Sequence, residues 1–140
     1  MSRTILCVDD NPHDIDLLQI AFEDCGVPVT IQALTDGQQA IDELKRLSTV
    51  PRASWPAVMV LDLNMPRTNG HEVLAFMREE GGLCDLPVVV LTTSNAPADR
   101  ERCLAAGVRD YLVKPRRFAD FAPIVERLVR YLTCAEDGAR

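Results

Sequence analysis

Charged and hydroxyl side chains stand at the ends of four short apolar runs in this sequence. They are Asp9 and Asp10 after the first run, Asp62 after the third, Thr92 after the fourth and Lys114 after the fifth. Three carboxylates held close together repel one another, and a hard divalent cation with oxygen ligands relieves that repulsion. Two or three carboxylates completed by water molecules are typical of a Mg²⁺ site. If these side chains meet, they could bind Mg²⁺ beside a fixed ammonium group.

An aspartate in such surroundings could accept a phosphoryl group. Because a carboxylate is a weak nucleophile, the reaction depends on positioning and on neutralising charge on the transferring oxygens. Mg²⁺, the Lys114 ammonium and the Thr92 hydroxyl would each take one oxygen while Asp62 attacks in line. Each residue also has a simpler interpretation, since Asp9 and Asp10 could only start a turn and a helix. Their joint occurrence favours the functional interpretation.

The elements that must position these residues follow from the hydropathy pattern. Strands are predicted near 5–8, 29–34, 57–61, 87–91 and 111–113, and helices near 12–25, 37–47, 71–80, 98–106 and 120–134. Runs that are apolar on both faces are typical of central parallel strands covered by helices. The alternation predicts an α/β fold with a doubly wound five-stranded parallel sheet. If the strand order is 2-1-3-4-5, as in the flavodoxin type, the first, third and fourth strands are neighbours. The carboxyl ends of the strands form one edge, where ligands bind.

Composition and charge exclude several classes of protein. The 140 residues include 15 Lys and Arg against 21 Asp and Glu, a net charge of −6. This charge disfavours nucleic acids and anionic membrane surfaces as partners, and no segment resembles a membrane span or a signal peptide. The five cysteines lack metal-ligand spacing and are expected to be small buried side chains in a reducing compartment. We therefore expect a cytoplasmic protein that binds neither nucleic acid nor membrane.

Four segments of the chain resemble the receiver domain of two-component response regulators, the CheY-like family. They are ILCVDDN at 5–11, VMVLDLNMPRTNG at 58–70, VVVLTTS at 88–94 and DYLVKP at 110–115. The resemblance implies a stand-alone response regulator: one receiver domain over residues 1–140, with a core at about 3–132 and a short tail. Such a protein is a signalling phosphoacceptor rather than an enzyme. The connection through Trp55 and the long final helix are similar to single-domain regulators that partner phytochrome-type histidine kinases.

The resemblance also implies a role for each residue at the strand ends. Asp62 would be the phosphoacceptor, which receives its phosphoryl group from a phosphohistidine of a sensor histidine kinase. Asp9 and Asp10 match the acidic pair that binds Mg²⁺, together with Asp62 and the backbone carbonyl of Asn64. Lys114 matches the lysine that pairs with the phosphoryl group.

Further residues match the family's switch. Thr92 and Tyr111 correspond to a pair in which the hydroxyl moves onto the phosphoryl group and the aromatic ring turns inward. This movement would repack the face made by the fourth helix, the fifth strand and the fifth helix. Tyr111 as an ordinary core residue is the alternative. Asn64 and Ser94 match positions that tune the dephosphorylation rate.

The final helix carries more apolar residues than one buried face needs. Its narrow stripe consists of Phe118, Phe121, Val125, Leu128 and Leu132, and it is widened by Ile124, Val129 and Tyr131. Two interpretations stay open. The surplus could form a homodimer or kinase-docking face through Phe118, Phe121 and Tyr131, or the helix could simply be buried more deeply.

Two other functions compete with a signalling switch. A haloacid-dehalogenase-type phosphatase also uses an Asp nucleophile, but that class needs an acidic residue two positions later, where this chain has Asn64. A flavodoxin-like nucleotide binder would place small residues after its first strand to hold phosphate. Asp9 and Asp10 would repel that phosphate, and no GxGxxG motif is present.

Overall fold

A computed structural model describes the backbone of residues 3–138 and the side chains of residues 3–132. Within these residues, five strands alternate with five α-helices. The strands are β1 (Thr4–Val8), β2 (Thr30–Leu34), β3 (Val58–Leu61), β4 (Val88–Thr92) and β5 (Asp110–Val113). The helices are α1 (Pro12–Asp24), α2 (Gly37–Leu47), α3 (Gly70–Glu80), α4 (Pro97–Ala105) and α5 (Ala122–Gly138), with short 3-10 turns at Arg52–Ser54 and Phe118–Phe121. The predicted alternation of elements is confirmed.

The strands form one parallel sheet in the order β2-β1-β3-β4-β5, as predicted. Every residue of β3 and β4 is buried, whereas the edge strands β2 and β5 are partly exposed. This difference follows from the sequence, because β3 and β4 are apolar on both faces and can be covered by helices on both sides. The central strands therefore hold their carboxyl ends in fixed positions.

Helices cover both faces of the sheet and create two core layers. Along β3, Val58 and Val60 pack into the layer formed with α1 and α5, while Met59 and Leu61 pack into the layer formed with α2 and α3. The alternation reflects the two-residue period of a strand. Asp62 follows directly after this doubly anchored strand.

Two helices begin against the carboxyl edge of the sheet. The side chain of Asn11 caps α1 by accepting a hydrogen bond from the backbone N–H of His13 at 3.1 Å, and Pro12 lies in the first turn. α3 starts at Gly70, where a Cβ atom would lie 2.6 Å from the backbone oxygen of Asp62. Only glycine allows this close approach, which places the first turn of α3 beside the end of β3.

The beginning of the last helix differs from one sequence-based expectation. Phe121 lies in the 3-10 turn before α5, is only 3% exposed and fills the core layer shared by α1 and α5. Its assignment to a partner face is therefore wrong. Ile124 is buried as well, and Tyr131 is half-buried, so most of the wide stripe is core. Phe118, at 39% exposed, is the residue of that proposed face that lies open to solvent.

The cysteines follow the expected burial only in part. Cys7 and Cys103 are buried, whereas Cys25 follows α1 and Cys84 lies in the loop after α3, and both are exposed. Burial raises the pKa of Cys7 to about 12, which keeps this thiol protonated. The side chain of Cys134 lies outside the described residues. Over residues 3–138, the chain forms no helix with the length and apolarity needed to cross a membrane.

Candidate functional site

The pairing of the strands brings the predicted site residues to one edge of the sheet. β1 and β3 end in register, so Asp9 and Asp62 follow on neighbouring strands, and the N–H of Asp62 donates to the carbonyl of Val8 at 2.9 Å. β4 and β5 also end together, and the N–H of Lys114 donates to the carbonyl of Thr92 at 2.7 Å. The carboxyl ends of four strands thus lie together at one edge of the sheet.

A buried ammonium group lies at the centre of this edge. The Nζ atom of Lys114 is 2.7 Å from Oδ2 of Asp9, 2.7 Å from Oδ2 of Asp14 and 3.1 Å from Oδ2 of Asp62. The Lys114 side chain is 8% exposed, and both Asp9 and Asp62 are 6% exposed. We call these four residues, together with Asp10, the acidic pocket.

Burial and charge act in opposite directions within the acidic pocket. Burial raises the pKa of Asp9 to about 6, because hydrogen bonds from Lys114 and from the N–H of Asn11 only partly offset the loss of water. Burial alone would lower the pKa of Lys114, but its hydrogen bonds to Asp14 and Asp9 outweigh this effect and raise it. Lys114 therefore stays protonated, whereas burial disfavours the ionised form of Asp9.

The donor atoms of the acidic pocket fit a hard divalent cation. Oxygen atoms of Asp9, Asp10 and Asp62 all lie within 4.8 Å of one another. Carboxylate oxygens are the ligands that such cations prefer, and a cation would relieve the excess of negative charge around one ammonium. Asn64 is exposed and lies in the connection between β3 and α3, where its N–H donates to Oδ1 of Asp62 at 3.3 Å.

A second group of side chains lies beside the pocket, around the loop between β4 and α4. The Ser94 hydroxyl donates to Asp99 at 2.6 Å, and the other oxygen of Asp99 lies 3.1 Å from Nε2 of His71. The backbone N–H of Ser94 donates to the Thr92 hydroxyl at 3.4 Å, and the Tyr111 hydroxyl donates to the Ser94 carbonyl at 2.8 Å. We call these five residues the loop network.

The structure thus divides the predicted site residues between two groups. Asp62 and Lys114 meet in the acidic pocket, whereas the hydroxyls of Thr92 and Ser94 make their observed hydrogen bonds within the loop network. Tyr111 is 5% exposed, so its ring belongs to the core while its hydroxyl reaches the loop. The predicted switch pair is linked through Ser94.

Three residues of the two groups were not singled out from the sequence. Asp14, His71 and Asp99 lie in the first turns of α1, α3 and α4, which are the helices that follow the site strands. A parallel strand and the helix after it meet at the carboxyl edge of the sheet. A polar residue in the first turn of such a helix was therefore the feature of the sequence that could have identified these three residues.

The chain is similar to known proteins in both sequence and fold. Residues 5–126 match the family model of the response regulator receiver domain. The chain is 40% identical over 127 residues to the "Probable methanogenesis regulatory protein FilR2" of Methanothrix harundinacea, which covers 91% of this chain and 81% of that protein.

Two solved structures are similar in both sequence and fold. The phosphorylated cyanobacterial phytochrome response regulator RcpA has a TM-score of 0.78 and 33% identity, with 91% of each chain covered. The Mn²⁺-bound form of response regulator Rcp1, a protein of Synechocystis sp., has a TM-score of 0.75 and 33% identity, with 89% of this chain and 90% of that chain covered.

Proposed function

The chain belongs to the response regulator receiver family, a CheY-like family of two-component signalling, and from this premise we propose that Asp62 accepts a phosphoryl group from a phosphohistidine of a sensor histidine kinase. One observation carries the proposal: Asp62 is buried at the end of a central strand, with the ammonium of Lys114 at 3.1 Å and two further carboxylates beside it. This is the environment that an aspartyl phosphoacceptor requires.

The transfer would proceed as an in-line displacement. A carboxylate oxygen of Asp62 forms a bond to phosphorus while the phosphorus–nitrogen bond of the phosphohistidine breaks. The electron pair stays with the imidazole, which leaves neutral when its second nitrogen already carries a proton. Lys114 holds one phosphoryl oxygen through its ammonium, and the hydroxyl of Thr92 turns to a second. Both groups act by neutralising or orienting charge rather than by moving protons.

We propose Mg²⁺ as the cation of the acidic pocket. Asp9, Asp10 and Asp62, with the backbone carbonyl of Asn64, would hold it. Bound there, it would neutralise charge on a phosphoryl oxygen. Support comes from the oxygen donors within 4.8 Å of one another and from the Mn²⁺-bound form of the similar regulator Rcp1.

The loop network offers a route from the pocket to the surface. When the Thr92 hydroxyl turns to the phosphoryl group, it loses the hydrogen bond that it accepts from the Ser94 N–H. Ser94 is also bonded to Tyr111, because its carbonyl accepts from the Tyr111 hydroxyl. We propose that this exchange shifts the β4–α4 loop and changes the face made by α4, β5 and α5. We propose that Asn64, whose N–H donates to Asp62, and Ser94, whose N–H donates to Thr92, tune the rate of dephosphorylation.

The named relatives suggest a partner. Because RcpA is a phytochrome response regulator and is similar over 91% of each chain, we propose a phytochrome-type histidine kinase as the phosphodonor. We also propose that residues 1–140 act as one receiver domain. Transfer of phosphate from such a kinase to Asp62, but not to an Asp62→Asn variant, tests the choice of donor.

We further propose a homodimer through β5 and α5. Val113 and Phe118 are 46% and 39% exposed on this edge, and Tyr131 is half-buried beside it. We propose that these side chains form one apolar patch, which is typical of a contact surface. In sedimentation equilibrium, Phe118→Ser should lower the average mass, whereas Ile20→Ser, which changes an exposed apolar residue of α1, should not. A monomeric mass for the unchanged protein, with and without phosphorylation, contradicts this proposal.

Intact mass measurement tests the central proposal. The protein is incubated with Mg²⁺ and acetyl phosphate, alongside Asp62→Asn and Asp16→Asn, the latter changing an exposed carboxylate of α1. We expect the unchanged protein and Asp16→Asn to gain one phosphoryl group, and Asp62→Asn to gain at least about 100-fold less. The proposal fails if the unchanged protein gains none, or if Asp62→Asn gains as much.

The family match favours this function over the two alternatives. A haloacid-dehalogenase-type phosphatase would need an acidic residue where Asn64 stands, and a flavodoxin-like nucleotide binder would need a phosphate-binding loop after β1, where Asp9 and Asp10 stand.

A further inference from the structure

Asp14 contacts the ammonium group of Lys114 as closely as Asp9 does, at 2.7 Å. We propose that Asp14 is a positioning residue, which holds that ammonium in place while the other carboxylates change partners. This inference rests on the phosphoryl transfer proposed above, because it assigns a role in that same reaction.

The number of hydrogen-bond donors on Lys114 leads to the proposal. An ammonium group has three N–H donors, and in this structure three carboxylates occupy them: Asp9, Asp14 and Asp62. Phosphoryl transfer changes two of these three. Asp62 forms a covalent bond to phosphorus, and Asp9 would turn to the cation. Asp14 is then the carboxylate that still holds the ammonium.

Asp14 is suited to this role because its own position is fixed. It lies in the first turn of α1, which Asn11 caps, and the following residue Ile15 packs into the core with Leu18. Its side chain is 23% exposed, so it forms the outer wall of the pocket. Among the described residues, the carboxylates close enough to share a metal ion are Asp9, Asp10 and Asp62, a group that does not include Asp14.

The loss of Asp14 should therefore misplace Lys114 in the reaction. Without it, the ammonium keeps only the two carboxylates that the cation and the phosphodonor also need. We expect phosphorylation by acetyl phosphate in saturating Mg²⁺ to be about tenfold slower in Asp14→Asn. Asp14→Glu, which retains the carboxylate, should recover part of the rate, and Asp16→Asn on the same helix should match the unchanged protein.

The chain has only two lysines, which allows a direct view of Lys114. Labelling lysine with ¹⁵N at Nζ gives two ammonium signals in NMR spectra, and the exposed Lys45 is the internal reference. In saturating Mg²⁺ without phosphodonor, we expect the Lys114 signal to be protected from hydrogen exchange. In Asp14→Asn its exchange should be about tenfold faster, as the loss of one charge-assisted hydrogen bond implies.

A second background separates positioning from a general structural effect. If Asp14 acts through Lys114, Asp14→Asn should change the phosphorylation rate less than about twofold when Lys114→Met is already present. An unchanged rate in Asp14→Asn alone, an equal effect in both backgrounds, or unchanged ammonium exchange would each overturn the inference. Failure of the unchanged protein to be phosphorylated would instead overturn the proposed function, so the two failures are distinguishable.

Discussion

Two carboxylates at the carboxyl edge of the sheet have pKa values shifted in opposite directions. Asp9, in the acidic pocket, is buried beside Lys114, and burial raises its pKa to about 6. Asp99, in the loop network, is 35% exposed, and hydrogen bonds from Ser94 and His71 lower its pKa below the ordinary range. The two groups therefore differ in how their charge is stabilised.

The difference favours the acidic pocket over the loop network as the group that binds a cation. The protein surroundings of Asp9 disfavour its ionised form. A cation bound beside it would therefore stabilise the carboxylate where the protein does not. The charge of Asp99 is already stabilised by neighbouring side chains. The acidic pocket is thus suited to binding and chemistry, whereas the loop network is suited to holding one conformation until a contact within it is exchanged.

Among the substitutions that test this comparison, removal of Lys114 should have the largest effect on the free energy of unfolding. In cation-free buffer, Lys114→Met should lower the free energy of unfolding by about 4 kcal/mol, because it leaves buried carboxylates without their counter-ion. Added Mg²⁺ should restore part of this loss. Urea unfolding measures both effects, and Lys45→Met, at an exposed position of α2, is the control. Equal stability of the two variants without Mg²⁺ would mean that the pocket is not held by its lysine.

The sequence predicted the fold and most of the acidic pocket for one physical reason. Strands that are apolar on both faces end abruptly in polar residues, and parallel pairing brings these ends together. Asp9, Asp62 and Lys114 were visible for this reason. The alternation of elements left more than one strand order possible, and the order 2-1-3-4-5 was taken from the flavodoxin type of sheet.

The loop network and one wall of the pocket were not predictable in the same way. Asp14, His71 and Asp99 belong to helices, where a polar residue is ordinary and only the orientation of the first turn gives it a partner. Phe121 is buried because it lies in a 3-10 turn that directs its ring into the core. Both outcomes are set by packing between elements rather than by the periodicity within one.

The pH dependence of stability should reveal how far burial disfavours the ionised carboxylate of Asp9. Between about pH 4 and pH 6, the folded state keeps a proton on Asp9 that the unfolded chain has lost, so stability falls as pH rises through this window. The expected fall is about 2 kcal/mol in cation-free buffer.

The difference between the unchanged protein and Asp9→Asn, measured by urea unfolding at each pH, isolates this contribution from those of other groups. For Asp99 the sign is opposite: its lowered pKa adds stability at higher pH, which is lost as pH falls below about 4. If the unchanged protein instead became more stable relative to Asp9→Asn between pH 4 and pH 6, the raised pKa of Asp9 would be contradicted.

A smaller effect is expected for Asp99→Asn. It weakens the charge-assisted bonds with Ser94 and His71, and partial exposure limits the loss to about 1 kcal/mol. Hydrogen exchange should become faster at the N–H of Ala96, which donates to the Ser94 hydroxyl. The control is Glu101→Gln, which removes an exposed carboxylate from the same helix. If both variants change exchange equally, the bonds of Asp99 do not hold the loop.

Tyr111→Phe should produce the smallest change in stability. The variant keeps the buried ring and removes only the hydroxyl that donates to the Ser94 carbonyl, a loss of about 0.5 kcal/mol. The second tyrosine of the chain supplies the control, Tyr131→Phe. We expect the acetyl phosphate reaction to keep its rate, because Tyr111 does not touch the acidic pocket's ammonium, while exchange at the Ser94 N–H becomes faster. A slower reaction with unchanged exchange would show that the Tyr111 hydroxyl affects the acidic pocket by a route other than its bond to the Ser94 carbonyl.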